Sequence, residues 1–201
     1  MAAETGKTEV LKKIRDEVFA FQKSPLYAER VKNKAYPVIG EGNHRAKIMF
    51  IGEAPGRNEA KTGRPFCGAA GKVLDELLAS AGIDRQDVYV TNIVKDRPPN
   101  NRDPLPEEIA AYAPFLDRQI DIIKPKVIAA LGRFSMTYIL KKYGLWNDAM
   151  TIGKIHGRPF EAETPFGKIA VIPLYHPAVA VYNPLTKESL KKDFQILKQY
   201  K

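Results

Sequence analysis

The sequence predicts an α/β fold of three layers, in which helices cover both faces of a four-stranded parallel sheet. Two observations carry this prediction. Short apolar segments typical of buried strands alternate along the chain with longer segments that have the apolar stripe of amphipathic helices. Strands that alternate with helices of this length are joined as parallel neighbours, and the connecting helices pack on either side of the sheet.

The first half of the chain contains two of the predicted strands. A helix is predicted over Glu9–Gln22, where apolar residues recur at helical spacing. Lys47–Ile51 is an apolar run bounded by charge and by glycine, which is typical of a buried strand. A second helix follows over Gly71–Ala81 and ends at Gly82, the residue type that favours the left-handed turn after a helix. Val88–Val94 is the second strand.

The second half repeats the alternation. Pro106–Lys124 is predicted as a long helix, because proline is favoured in a first turn and the acidic residues there complement the helix dipole. Val127–Leu131 is the third buried strand, and Phe134–Tyr143 the next helix. Ile169–Leu174 is the fourth strand, and Lys187–Tyr200 is the closing helix.

Length and composition are those of an ordinary globular protein, and residues 1–201 are predicted to form one domain. No segment approaches the roughly 18 consecutive apolar residues of a membrane-spanning helix, and the amino end lacks the apolar region of a signal peptide. The single cysteine excludes an internal disulfide and fits a reducing compartment. We therefore expect a cytoplasmic monomer without membrane association.

The net charge of +9 favours a nucleic-acid partner, because Lys and Arg neutralise phosphates. Part of the excess lies near the two ends of the chain, in segments 7–34 and 187–201, where a solvated basic face is the alternative explanation.

Polar side chains follow three of the predicted strands. Glu53 comes directly after the first strand, in a loop that Pro55 and Gly56 keep irregular. Asn92 lies near the end of the second strand, and His176 follows the fourth. Because the carboxyl ends of parallel strands meet at one edge of a sheet, where ligands bind, we expect these side chains to lie close together.

Five motifs occur in order along the chain: Glu53-Ala-Pro-Gly56, Thr62-Gly-Arg-Pro-Phe66, Tyr89-Val-Thr-Asn-Ile-Val-Lys95, Arg97-Pro-Pro99 and Tyr175-His-Pro177. Together they resemble the family 4 uracil-DNA glycosylases, over residues 24–184. The resemblance implies a four-stranded α/β/α sandwich and a monofunctional DNA glycosylase. Such an enzyme hydrolyses the N-glycosidic bond of uracil in single- or double-stranded DNA and leaves an abasic site, which starts base-excision repair.

The resemblance implies a pocket that reads the edge of uracil. Asn92 matches the residue for this role, since a carboxamide accepts from N3–H and donates to O4 at the same time. Phe66 matches the ring on which the extruded base stacks. Gly52 and Ala54 complete the substrate-binding set. The structural alternatives are a turn asparagine and a core phenylalanine.

Cleavage of the bond requires opposite charges to be stabilised on the base and on the sugar. His176 would stabilise the departing uracil through O2, either as a neutral donor or as a cation. Glu53 would lie near the ribose and orient or activate water. Glu59 matches a second catalytic carboxylate, but Ala60 stands where an acidic residue commonly follows, so its role stays open. His44 and His156 are expected on the surface.

Four residues are assigned to DNA contacts. Lys95, Arg97 and Arg102 flank a Pro-Pro turn and would bind phosphates, unless they form only a solvated basic loop. In the loop 178–184 the family usually carries leucines and an arginine, which fill the space left by the extruded base. Here Tyr182 is the candidate for that contact, because the neighbouring residues are small.

One departure of the chain from the family is large. The family holds a [4Fe–4S] cluster with four cysteines, whose positions fall on Ser24, Tyr27, Asp96 and Tyr112 here, while Cys67 matches none of them. Such a cluster needs thiolate ligands. We therefore predict no cluster, no metal and no organic cofactor. Hydrogen bonds or packing, from Tyr27 and Tyr112 among others, should join the same segments.

A different class of function is also compatible with the motifs. A non-catalytic protein of the same fold would bind uracil-containing or damaged DNA after losing catalysis together with the cluster. Retention of Glu53, Phe66, Asn92 and His176 argues against this reading. A nucleotide hydrolase is disfavoured, because the chain has no Gly-x-x-x-x-Gly-Lys-Ser/Thr pattern.

Overall fold

The computed structural model describes residues 2–201, and it has one sheet with helices on both faces. The strands are β1 Glu41–Gly42, β2 Ile48–Gly52, β3 Tyr89–Asn92, β4 Val127–Leu131, β5 Phe160–Thr164 and β6 Gly167–Leu174. The α-helices are α1 Ala2–Phe19, α2 Tyr27–Lys32, α3 Arg57–Thr62, α4 Ala69–Ser80, α5 Pro106–Ile123, α6 Arg133–Lys142, α7 Ile152–Ile155, α8 Ala178–Tyr182 and α9 Lys187–Phe194. Across the described part of the chain, none of these helices has the length and apolar character needed to traverse a bilayer.

The strand order is β1-β3-β2-β4-β6-β5. The four central strands are parallel, which confirms the predicted four-stranded parallel sheet. Two antiparallel edge strands extend it and were not predicted. The strand β1 has only two residues, and β5 is largely exposed and pairs with β6 through a tight turn. Neither has the continuous apolar run by which a buried strand is recognised.

The central strands are buried on both faces. In β2, Met49 and Ile51 belong to the core cluster that includes residues of α1, α5 and α6. Ile48 and Phe50 alternate with them and belong to the opposite cluster, with residues of α4 and α9. This two-sided burial explains why the parallel strands are continuously apolar in sequence.

Several predicted boundaries need correction. The first helix ends at Phe19 rather than at Gln22. The closing helix ends at Phe194 and continues as a 3₁₀ turn over Gln195–Tyr200. The segment predicted as the loop 178–184 contains the short helix α8. The short helices α2, α3 and α7 were not predicted, because four to six residues are too few to show a helical repeat.

A buried polar network joins three segments that are distant in sequence. The Tyr112 hydroxyl on α5 donates to Asp96 Oδ2 at 2.5 Å. Ser24 Oγ lies 2.5 Å from the same hydroxyl and can donate a hydrogen bond to it. The Arg30 guanidinium lies 3.3 Å from Asp96 and donates to the carbonyl of Val18. Burial raises the pKa of Asp96, although the bonds from Tyr112 and Arg30 oppose that rise.

This network lies at the positions that the resemblance assigns to the cluster ligands. Ser24, Asp96 and Tyr112 are hydrogen-bonded to one another, and the Tyr27 ring packs 5.0 Å from the Arg30 guanidinium. The side-chain oxygens of Ser24, Asp96 and Tyr112 are already used in hydrogen bonds, and none of the four side chains offers a thiolate, so they do not fit a [4Fe–4S] cluster. Within residues 2–201, no group of three or more His, Cys, Asp or Glu is arranged to hold a metal ion.

The network gives a testable prediction for stability. Tyr112→Phe removes the shared hydroxyl, so that Ser24 and Asp96, which are both buried, each lose one hydrogen bond. We expect the free energy of unfolding to fall by about 1–3 kcal/mol, measured by urea denaturation. Tyr138→Phe is the matched control, because its hydroxyl donates to the partly exposed Asp117 and water can replace that bond. Equal losses in the two variants would contradict a special role for the network.

Candidate active site

The ends of three parallel strands place the predicted polar residues around one pocket. Glu53 follows β2, Asn92 ends β3, and His176 lies two residues beyond β6. The pocket has a volume of about 390 Å³. Seven of the residues that the sequence assigned to the site line it: Glu53, Ala54, Glu59, Phe66, Asn92, Arg102 and His176.

Asn92 presents an acceptor that has no partner among the described residues. Its Oδ1 is buried and forms no hydrogen bond within residues 2–201. Buried polar atoms are almost always paired, so an unpaired one in a pocket indicates a ligand donor. Gly52 lies beside it, paired with Asn92 in the sheet. A Cβ at Gly52 would lie 2.3 Å from Asn92 Oδ1 and 2.7 Å from Phe66 Cζ, so only glycine allows the three to meet.

Phe66 is held in a backbone conformation that costs energy for a residue with a side chain. Its φ is +50°, in the left-handed region. The carboxylate of Glu59 accepts from the backbone N–H groups of Cys67 and Gly68 at 3.0 and 2.9 Å. A Cβ at Gly71 would lie 1.8 Å from the Phe66 carbonyl oxygen. These contacts fix the Phe66 ring against His176, with ring centroids 5.5 Å apart.

Glu59 therefore has a structural contact as well as a place in the pocket wall. One of its oxygens holds the turn that carries Phe66. The catalytic role that the family match gives to Glu59 stays a prediction.

The hydrogen bonds of His176 determine its tautomer. The backbone N–H of Ala178 donates to His176 Nδ1 at 3.2 Å, which places the ring proton of the neutral form on Nε2. Burial lowers the pKa of His176 to about 4, and the nearby charge of Glu59 opposes that shift. At neutral pH the ring is a neutral donor. This favours the neutral form over the cation, the two forms that the sequence left open.

The pKa of Glu53 is shifted upward, in the opposite direction to that of His176. Burial raises its pKa to about 7, and Asp103 adds to the rise while Arg133 opposes it. A carboxylate that ionises near neutral pH in a pocket is a candidate general base.

Lys95 lies in the core, whereas the sequence predicted that it contacts DNA at the surface. Its side chain is fully buried. Its Nζ donates to the carbonyl of Asn92 at 2.6 Å, to Thr91 Oγ1 at 2.8 Å and to Gln119 Oε1 at 2.7 Å. Burial lowers its pKa. The prediction that Lys95 contacts DNA is therefore wrong, because DNA cannot reach it. The residue instead supports the end of β3 behind the pocket.

The two arginines predicted to bind phosphates, Arg97 and Arg102, already form hydrogen bonds within the protein. Both nitrogens of the Arg102 fork donate to the carboxylate of Glu108, at 2.9 and 2.5 Å. Arg97 Nε donates to Asn101 Oδ1 at 2.6 Å. Asn101 lines the pocket and was missed. The sequence signal for this turn was the Asn100–Asn101 pair after two prolines. Asparagine tolerates the left-handed conformation, which both residues adopt.

Two large apolar side chains are exposed in the segment that follows the pocket-lining Ala178. Tyr182 is 87% exposed at the end of α8, whose first residue, Ala178, lines the pocket. Leu185 is 88% exposed and lies outside the predicted loop, so sequence reasoning missed it. Exposed side chains of this size beside a pocket are typical of a contact surface.

The other histidines are half-buried rather than fully on the surface. His44 Nδ1 lies 2.8 Å from Thr8 Oγ1. His156 Nδ1 lies 2.7 Å from the carboxylate of Asp193. Neither lines the pocket.

Comparison with known proteins places the chain in a family. Residues 39–198 match the sequence profile of the Uracil DNA glycosylase superfamily. A type-4 uracil-DNA glycosylase of Sulfurisphaera tokodaii is 47% identical over 190 residues, which cover 94% of this chain and 84% of that protein. The type-4 enzyme of Archaeoglobus fulgidus is 45% identical, with 93% and 91% covered. That of Thermotoga maritima is 44% identical, with 79% and 83% covered.

The tautomer of His176 can be tested without a reaction. Because its pKa is lowered to about 4, its ring signals in NMR should stay constant between about pH 5 and 8, where an ordinary histidine titrates. The Nε2 proton should be observed and Nδ1 should be unprotonated. A His176 titration midpoint within that range would contradict the assignment of a neutral donor.

Proposed function

This chain belongs to the uracil DNA glycosylase superfamily, and from that premise we propose that it is a monofunctional uracil-DNA glycosylase. It hydrolyses the N-glycosidic bond of uracil in DNA and leaves an abasic site for base-excision repair. It acts in the cytoplasm, as a monomer and without metal or organic cofactor. The observation that carries the proposal is the unpaired, buried acceptor of Asn92 in a pocket shared with Phe66, His176 and Glu53.

In this proposal Asn92 reads the edge of the base. Its free Oδ1 accepts from N3–H of uracil, and its Nδ2 donates to O4. The flat face of uracil stacks on Phe66, a contact worth roughly 1–3 kcal/mol per base. Gly52 leaves room for both side chains, and Ala54 forms part of the wall. The result is a narrow site selective for one hydrogen-bonding edge.

His176 and Glu53 then stabilise opposite charges. As the bond from C1′ to N1 breaks, the bonding electrons leave with uracil, and negative charge develops on O2. The Nε2–H of His176 donates to this oxygen, and a neutral donor is already protonated at working pH. The Glu53 carboxylate opposes the positive charge on the sugar and takes a proton from the water that adds to C1′.

The base must leave the helical stack before it enters the pocket. In this proposal Tyr182 and Leu185 fill the vacated space, and their exposure after the segment that carries His176 supports it. A tyrosine can also stack on an unpaired base of a single strand.

The second candidate is a non-catalytic protein that binds uracil in DNA. The raised pKa of Glu53 argues against it, because a pocket built only for binding gains nothing from a buried carboxyl near the sugar. The two candidates differ in one measurable property, the release of free uracil.

The pH dependence of single-turnover excision tests the role of Glu53. The active form is the carboxylate, so the rate should rise as pH rises through about 7 and then level off. His176 remains neutral throughout this range and adds no second step. Glu53→Gln cannot ionise, so its rate should be lower by roughly 10²-fold or more and independent of pH.

Binding measured on the same preparations separates catalyst from binder. Affinity for uracil-containing DNA should change far less than the excision rate in Glu53→Gln and in His176→Ala, because phosphates supply most of the affinity. Glu163→Gln, at an exposed carboxylate on β5, is the control and should match wild type in both assays. Wild-type protein that binds uracil-DNA specifically but releases no uracil at excess enzyme would favour the second candidate.

A further inference from the structure

A groove beside the pocket is lined by positively charged side chains from three separate segments. Lys34 follows α2, Arg57 and Lys61 lie on α3, and Arg97 lies in the loop after β3. We call the groove formed by these four residues the basic groove; its volume is about 250 Å³. Pro98 lines both the basic groove and the pocket, so the two are adjacent.

The charges of the basic groove are not neutralised by the protein. Within the described residues, Lys34, Arg57, Lys61 and Arg97 form no ion pair. A fifth lining cation, Arg30, is paired with Asp96. The one acidic residue that lines the groove is Glu29, whose carboxylate accepts from Asn33 Nδ2 at 2.7 Å. The groove therefore keeps an excess of positive charge, which attracts anions.

Three other arginines differ from the four groove residues in this respect. Arg64 pairs with Glu41, Arg102 with Glu108, and Arg133 with Asp103. Their charges are largely compensated within the protein. The four unpaired cations of the basic groove lie on the Pro98 side of the pocket.

A strand that delivers one nucleotide to the pocket must carry its backbone past the pocket mouth. On the side of Pro98, the surface that follows is the basic groove. We propose that the basic groove binds the phosphates of the uracil-containing strand next to the extruded nucleotide. This inference rests on the proposed function. It gives Lys34, Arg57 and Lys61 the phosphate contacts that the sequence assigned to the buried Lys95 and the paired Arg102.

The salt dependence of binding tests the proposal. A double variant, Arg57→Gln with Lys61→Gln, removes two groove charges. Lys13→Gln with Lys198→Gln is the matched control, because both lysines are exposed and neither lines the groove or the pocket. All binding is measured by fluorescence anisotropy in the Glu53→Gln background, on a single-stranded oligonucleotide with one uracil, so that the substrate stays intact.

For single strands, each lost phosphate contact makes the negative slope of log K against log salt shallower by about 0.7. The groove variant should therefore lose about 1.4 in slope and bind more weakly at low salt. The control variant should keep the slope of the parent. Equal slopes for the groove variant and the control would overturn the proposal.

Neutral methylphosphonate linkages locate the contact along the strand. They are placed one at a time on either side of uracil. For the parent protein, linkages on one side should weaken binding. For the groove variant, the same linkages should have no effect. The same sensitivity in both proteins would overturn the proposal.

Uracil release is measured separately, with Glu53 intact. Wild type that releases no uracil contradicts the proposed function, while the groove is still judged by the salt slopes and the linkage scan.

Discussion

The register of the parallel sheet is the constraint on which the site depends. Gly52 pairs with Asn92 across β2 and β3, and Leu131 pairs with Leu174 across β4 and β6. These pairings bring the ends of three strands to one edge, where the loops carrying Glu53 and His176 begin. The strands are buried on both faces, so a slip by one residue would exchange the two sets of core side chains. Core packing thus fixes the geometry of the pocket.

The segment after β3 needs further support, because it leaves the sheet and separates the pocket from the basic groove. Two buried cations supply it. Lys95 holds the carbonyl of Asn92, and Arg30 contacts Asp96, whose carboxylate also accepts from Tyr112. Burying charge is costly unless the group is well bonded, and both cations have several acceptors. Hydrogen bonds join the segments that carry Ser24, Asp96 and Tyr112.

Much of this arrangement was predictable from sequence, for physical reasons. Continuous apolar runs identified the four central strands, and their order placed Glu53, Asn92 and His176 at one edge. The exposed strand β5 lacked that signal. The fate of Lys95 could not be predicted, because its partner Gln119 lies 24 residues away and becomes a neighbour only in the fold. The basic groove was missed for the same reason, since its cations come from three segments.

The central claim is that the free acceptor of Asn92 belongs to a carboxamide that reads uracil, and Asn92→Asp tests it most directly. The substitution replaces the donor needed by O4 with an acceptor, while the amino group at C4 of cytosine is a donor. Single-turnover release should be measured on matched oligonucleotides that contain uracil or cytosine. The account predicts slower uracil release and a shift in preference toward cytosine. Full-rate uracil release by Asn92→Asp would contradict it.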